Sequence, residues 1–273
     1  MKQITAFSII AILFLQLTSC SKSNDATPAA TVTWTKSVTM STKFEVPALA
    51  TRSETGTATL DLLSDNTLKY NIVVSGLASG DVITGAHIHL GNAASSGGVY
   101  IPFTVPANFS GTTLTGTTGV LTAGQIDTLK NQPAYVNVHT TQAASGLIRG
   151  QIDSKVTFAA DVTMTGANEV PAVTTTATGL ATIRVTEDKN IYVKVVVSNL
   201  ESTDALSAAH IHSGASTVSG PVILGFYSAA TDFGVVKKLA LTDALYTSLL
   251  NDVIYVNAHS TTRPSGLVRG QIR

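Results

Sequence analysis

The ordered part of the chain is patterned in steps of two. Leu68, Tyr70, Ile72 and Val74 alternate with Lys69, Asn71 and Ser75, the period of a strand with one buried face. Ile191, Val193, Val195 and Val197 repeat the pattern. Threonine and valine are abundant, glycine punctuates the runs, and strand-sized segments are closely spaced. Such spacing predicts a sandwich or a Greek-key barrel. A short helix interrupts each half. Thr122-Ala123-Gly124-Gln125 has capping-box spacing, Ile126 and Leu129 follow at helical spacing, and Pro133 closes the segment. Thr242 to Leu250 is its counterpart. The predicted class is all-β with minor helix.

The two halves are copies. Glu45-Val46-Pro47-Ala48 returns as Glu169-Val170-Pro171-Ala172, and Gly56-Thr57-Ala58-Thr59-Leu60 as Gly179-Leu180-Ala181-Thr182-Ile183. Ser145-Gly146-Leu147-Ile148-Arg149-Gly150-Gln151-Ile152 returns as Ser265-Gly266-Leu267-Val268-Arg269-Gly270-Gln271-Ile272. Equivalent positions stay 120 to 124 apart. A period this long argues for two complete domains, residues 32–153 and 154–273, and not for a solenoid. The join near Asp153 to Lys155 is nearly linkerless, so the domains are expected to be packed or closely coupled.

Residues 1–19 read as a signal peptide, with Lys2 as the positive region and Ile4 to Leu17 as the apolar run. That run is shorter than the roughly 20 residues a spanning helix needs. Leu17-Thr18-Ser19-Cys20 resembles a bacterial lipobox, which implies cleavage before Cys20 and lipid on its sulfur. Residues 20–31 are small and polar, a flexible spacer. The expected location is the bacterial cell envelope, and Ser21 is compatible with the outer membrane. Cys20 is the single cysteine, which excludes an intrachain disulfide and a thiolate metal site. Hydrophobic residues make up 44% of the chain, ample for two cores, and charged residues only 12%. Residues 32–153 carry six basic and seven acidic groups, and residues 154–273 nine of each. Neither half has the basic excess that nucleic-acid binding relies on.

All six histidines fall in four segments. Ala86-His87-Ile88-His89 and Tyr135-Val136-Asn137-Val138-His139 belong to the first copy. Ala209-His210-Ile211-His212 and Tyr255-Val256-Asn257-Ala258-His259 belong to the second. On a strand His87 and His89 share a face, with Ile88 on the other. His139 alternates with Asn137 and Tyr135 on a second strand. If the two strands are neighbours, three imidazoles meet, a set suited to zinc or copper with an open fourth position. Glu45 could then supply a carboxylate, and Asn137 or Gln151 could orient a ring. His210, His212, His259 and Glu169 form the second set. The alternative is a buried polar network that fixes register, with Arg149 pairing with Glu45 and with Asn137 and Gln151 satisfied around them. Asn257, Arg269 and Gln271 would do the same in the second copy. Spacing leaves both readings open.

Together these residues resemble the CHRD domain, a module of chordin also found in bacterial secreted proteins. The resemblance rests on Glu-Val-Pro, Ala-His-Ile-His, Tyr-Val-Asn-x-His and Gly-x-x-Arg-Gly-Gln, in that order, twice. It implies an immunoglobulin-like β-barrel with limited similarity to copper/zinc superoxide dismutases. Three histidines per copy fall short of the ligand set, with its bridging histidine, that dismutase chemistry requires. No Gly-x-Ser-x-Gly elbow, nucleophilic cysteine or phosphate-cradling loop is present. The expectation is a lipid-anchored, non-enzymatic interaction protein whose partner is a protein, matrix or glycan. The alternative is a protein that binds one zinc or copper ion per repeat.

Overall fold

A computed structural model describes residues 29–273. The signal peptide, Cys20 and most of the spacer lie outside the described residues. The first repeat contains eight strands: β1 (Val32–Ser41), β2 (Thr55–Leu63), β3 (Thr67–Ser75), β4 (Ile83–Leu90), β5 (Val99–Pro102), β6 (Thr113–Val120), β7 (Ala134–Thr140) and β8 (Ile148–Gln151). Helix α1 (Ala123–Asn131) precedes β7. The second repeat runs β9 (Val156–Thr165), β10 (Thr178–Thr186), β11 (Asn190–Ser198), β12 (Leu206–Ser213), β13 (Val222–Tyr227), β14 (Lys237–Ala240), α2 (Asp243–Asn251), β15 (Ile254–Ser260) and β16 (Val268–Gln271).

Each repeat is one barrel-like antiparallel sheet, ordered β5-β4-β7-β8-β1-β2-β3-β6 and, identically, β13-β12-β15-β16-β9-β10-β11-β14. The chain crosses from β5 at one edge to β6 at the other and returns through α1 to β7 in the middle. Thr122 caps α1 with a full capping box: its Oγ1 accepts from Gln125 N, and Gln125 Oε1 accepts from Thr122 N. Lys130 lies in the last turn, where the helix dipole favours a cation.

Alternation decides what the curled sheet encloses. Leu60, Leu68, Ile72, Ile88, Val136, Val138 and Ile148 come from both halves of the first sheet and pack in one core. Ile183, Ile191, Val193, Val195, Ile211, Val256 and Val268 do so in the second. One corner brings backbones unusually close. A Cβ at Gly150 would lie 2.4 Å from Thr39 O, so the Arg-Gly-Gln strand needs glycine there to cross β1.

Between the repeats only residues 152–155 separate β8 from β9. Ala93 and Ala94 of the first repeat pack on Val156 and Tyr192 of the second. The repeats fall within one compact unit, Thr31–Arg273.

Ile72 is fully buried in β3, which pairs with neither histidine-bearing strand of the repeat. Ile72→Ala is expected to lower the unfolding free energy by about 2–5 kcal/mol. Urea denaturation measures this; a loss below about 0.5 kcal/mol would contradict a closely packed core there.

Candidate functional site

β4 and β7 are neighbours, with Gly85 opposite His139, His87 opposite Asn137 and His89 opposite Tyr135. β8 continues the layer, with Asn137 opposite Arg149 and Tyr135 opposite Gln151. Strand alternation therefore sends Ala86, Ile88, Val136, Val138 and Ile148 into the core and puts the polar residues on the opposite face. Parts of the loops after β1, β4 and β7 (Glu45 to Pro47 and Leu49, Ser96 and Gly97, Ser145 and Gly146) border a cavity of about 200 Å³ over this face.

The three imidazoles of the first repeat converge. His87, His89 and His139 each offer a ligand nitrogen, and these atoms lie within 4.8 Å of one another. Backbone carbonyls decide which nitrogen is free. His89 Nδ1 is 3.0 Å from Gly97 O, and His139 Nδ1 is 3.0 Å from Ala144 O. A carbonyl only accepts, so each Nδ1 carries the hydrogen and each Nε2 keeps its lone pair. His89 Nε2, His139 Nε2 and His87 Nδ1 are buried without a hydrogen-bond partner among the described residues. Three bare nitrogens, two of them on rings with locked tautomers, suit a transition-metal ligand set. Burial, and then the neighbouring histidines, hold the proton affinity of His87 below the ordinary imidazole value. Burial does the same for His89, partly offset by its Gly97 bond.

A stack stands behind the cluster. The His89 and Tyr135 rings are parallel within 7°, with centroids 5.0 Å apart, and Arg149 Cζ lies 3.5 Å from the other ring's centroid. Arg149 is fully buried, and its Nη2 donates to Asn92 O at 2.6 Å and to Gln151 Oε1 at 2.9 Å. Gln151 Nε2 donates to Gly91 O at 3.1 Å. Arg149 and Gln151 thus hold the start of the loop whose far end presents Gly97 to His89. Gly97 N donates to Tyr135 Oη at 3.1 Å, which closes the clasp. Desolvation pushes Arg149 down to about 10.

The second repeat rebuilds this plan with one difference. His212 Nδ1 meets Gly220 O at 2.9 Å, and His259 Nδ1 meets Pro264 O at 3.0 Å. His212 stacks on Tyr255 with centroids 4.8 Å apart, and Arg269 Cζ lies 3.4 Å from that ring. Arg269 donates to Ala215 O and Val218 O, and Gln271 to Gly214 O. Here, however, His210 Nδ1 lies 3.0 Å from His259 Nε2. Two prospective ligand atoms are engaged with each other.

Glu45 and Glu169 stand outside the converging ligand atoms. The Glu45 carboxyl accepts from Asn137 Nδ2 at 3.1 Å on both oxygens, so Asn137 braces the acid and does not orient a ring. Arg149 acts on Glu45 through its charge, without a salt bridge. Gly146, at φ +136°, leaves the room they need: a Cβ would lie 2.8 Å from Asn137 Oδ1 and 2.9 Å from Glu45 Oε1. Burial pushes Glu45 up to about 7, against the pull of Arg149. Glu169 is likewise raised to about 7 by burial, against Arg269. The position of Asn257 matches Asn137, and the amide oxygens of both are buried without a partner among the described residues.

The loop carbonyls of Gly97, Ala144, Gly220 and Pro264 orient the rings, and no side-chain pattern marks them in the sequence. Tyr135 and Tyr255 sit inside a repeated motif, yet their stacking role needs the register of β4 on β7 to become visible. Because their folded-state values lie above the ordinary carboxylate value, Glu45 and Glu169 favour the fold fully below about pH 4.5, and that contribution is lost as pH rises through about 7. Glu45→Gln is therefore expected to gain stability relative to the unaltered chain at pH 8 and not at pH 4. Urea unfolding with chelator at both pH values measures the difference; an effect that does not vary with pH would show that folding leaves the Glu45 carboxyl at its unfolded value.

A model of the CHRD domain matches residues 36–152 and again residues 160–272. Chordin of Danio rerio is 25% identical over 233 residues, which cover 80% of this chain and 24% of that protein. The chain thus spans about a quarter of this relative's length. No solved structure matches. With both matches falling on the duplicated sheets, the chain belongs to the CHRD-domain family and carries two CHRD domains in tandem.

Proposed function

We propose that each CHRD domain of this chain is a metal-binding module, and that the protein is a lipid-anchored, non-enzymatic component of the cell envelope. One observation carries the metal reading: in the first repeat, three histidines each offer a ligand nitrogen within 4.8 Å of the others, each ring has a buried nitrogen without a partner among the described residues, and two of the rings are fixed by backbone carbonyls. A structural network would place a partner on each of these nitrogens. An ion with nitrogens at about 2.0–2.1 Å would hold them roughly 3.4 Å apart, so binding draws the rings slightly inward. Imidazole-only ligation suits zinc or copper. The cavity beside His89 and His139 leaves a fourth position open to a small ligand or water.

A second reading, docking of a protein, matrix or glycan partner, is favoured by a groove of about 460 Å³ at the junction of the repeats. There Leu180 and Val196 are 39% and 42% exposed. The anchor reading rests on the lipobox-like segment ending at Cys20. Among the described residues no helix is long and apolar enough to cross a membrane.

Elemental analysis after reconstitution with zinc or copper is expected to find about two ions per chain, one for each three-histidine set. His89→Ala with His212→Ala is expected to abolish stoichiometric binding; an unaltered chain that retains no metal would sink the reading. Binding should persist at pH 6.5, because burial disfavours protonation of His87 and His89, and fade in stronger acid as the rings protonate. For the anchor, detergent phase partitioning of cells expressing the full chain is expected to place it in the detergent phase and Cys20→Ser in the aqueous phase. Equal partitioning of the two would argue against lipid on Cys20.

A further inference from the structure

We propose that the two histidine sites are unequal, the first repeat holding the tighter one, and that Arg184 of the second repeat is a positioning residue for it. The proposal rests on reading the histidine clusters as metal sites.

The loop after β1 carries Glu45, Val46, Pro47 and Leu49, which border the cavity beside His89 and His139. The second repeat grips this loop at two points. Arg184, fully buried on β10, donates from Nη2 to Glu45 O. Its Nη1 pairs with Asp161 Oδ1 at 2.6 Å, and Asp161 Oδ2 accepts from Ala48 N at 2.7 Å. One charged pair therefore fixes both ends of the Glu45–Ala48 segment, and charge-assisted bonds are about twice as strong as neutral ones. From the other side Ser96 Oγ donates to Val46 O at 3.3 Å, which ties the segment to the loop that presents Gly97 to His89.

Among the described residues nothing equivalent holds the second site. By strand register Ser37 and Asp61 of the first repeat occupy the positions of Asp161 and Arg184, so the pair exists once. Pro171 and Ala172, the counterparts of Pro47 and Ala48, are exposed. The cavity beside Glu169, about 190 Å³, is lined by Ala167, Asn168, Ser216, Arg269 and Gln271 and reaches none of the histidines. The ligand atoms differ as well. His259 donates from Nδ1 to Pro264 O, so its Nε2 can only accept, and His210 Nδ1 must be the donor. Metal entry at the second site must first break that hydrogen bond. His87 and His139 have no such bond to lose. At the position of Gly85, opposite His139, the second repeat carries Ala208 opposite His259. A Cβ at Gly85 would approach His87 Cε1 to 3.2 Å, so glycine gives the first pair of rings more freedom to close on an ion.

Cobalt(II) titration of the full-length protein, read by its visible absorption, tests this. His210→Ala/His212→Ala isolates the first site and His87→Ala/His89→Ala the second. The first site is expected to bind about tenfold more tightly, the scale of one net hydrogen bond. Arg184→Met is expected to weaken the first site about 10- to 100-fold, as removal of a supporting group does, and to leave the second unchanged. Arg184→Lys, which keeps the charge without the fork, should fall between; it also serves if the methionine variant fails to fold. Equal affinities would overturn the proposal, as would an Arg184 effect on both sites or on neither. Absence of cobalt from both sites would overturn the metal reading itself, and the proposal with it.

Discussion

A backbone carbonyl accepts hydrogen bonds and never donates them, and in each repeat that asymmetry sets the chemistry of the face opposite the core. Gly97 and Ala144 dictate the tautomers of His89 and His139, as Gly220 and Pro264 dictate those of His212 and His259. The carbonyls come from loops, so much of the remaining polar layer serves to hold those loops. Arg149 and Gln151 bind the start of one loop. Asp81 holds the turn after β7 through Thr140 Oγ1, Thr141 Oγ1 and Gln142 N, each at 2.9 Å. Although burial opposes its ionisation, the bonds from Arg52 and from this turn keep Asp81 down at about 2. Asp204 plays the same part before Thr261 and Thr262.

The polar layer is possible because the strands carrying it are covered on both sides. β7 and β15 are buried almost throughout, with a core on one face and loops on the other. A buried guanidinium in such a place would be costly unless satisfied. Arg149 and Arg269 gain neutral carbonyl acceptors and an aromatic face. The network of the polar layer is real, and histidine nitrogens are among the buried atoms it leaves without a partner among the described residues.

Much of the fold was legible in the residues. The alternation at Leu68 to Val74 lies on β3, with those four side chains buried, and the capping box at Thr122 starts α1. Duplication placed each histidine set, because register depends on period-two alternation that survives in both copies. Side-chain pattern could not specify loop conformation. On the metal reading Asn137 or Gln151 could orient a ring; the two instead brace Glu45 and the residue 91–97 loop. On the network reading Arg149 pairs with Glu45; it stacks on Tyr135 instead. Gly91 O and Asn92 O, which accept from Gln151 and Arg149, are backbone groups, which every residue possesses and no motif marks. Arg184 and Asp161 were invisible for another reason: comparing the copies highlights what they share, and this pair occurs in only one.

That single occurrence also limits how the domains can associate. Where β9 and β10 present Asp161 and Arg184, the first repeat presents Ser37 and Asp61. The free Glu169–Ala172 segment of one molecule would find at the first repeat of another no guanidinium for its carbonyl, and Asp61 in its place. Head-to-tail contacts propagate into filaments when both ends of the unit carry matching halves of the same joint. Here the one set of halves is already joined within the chain, and the geometry that couples the repeats does not extend from molecule to molecule.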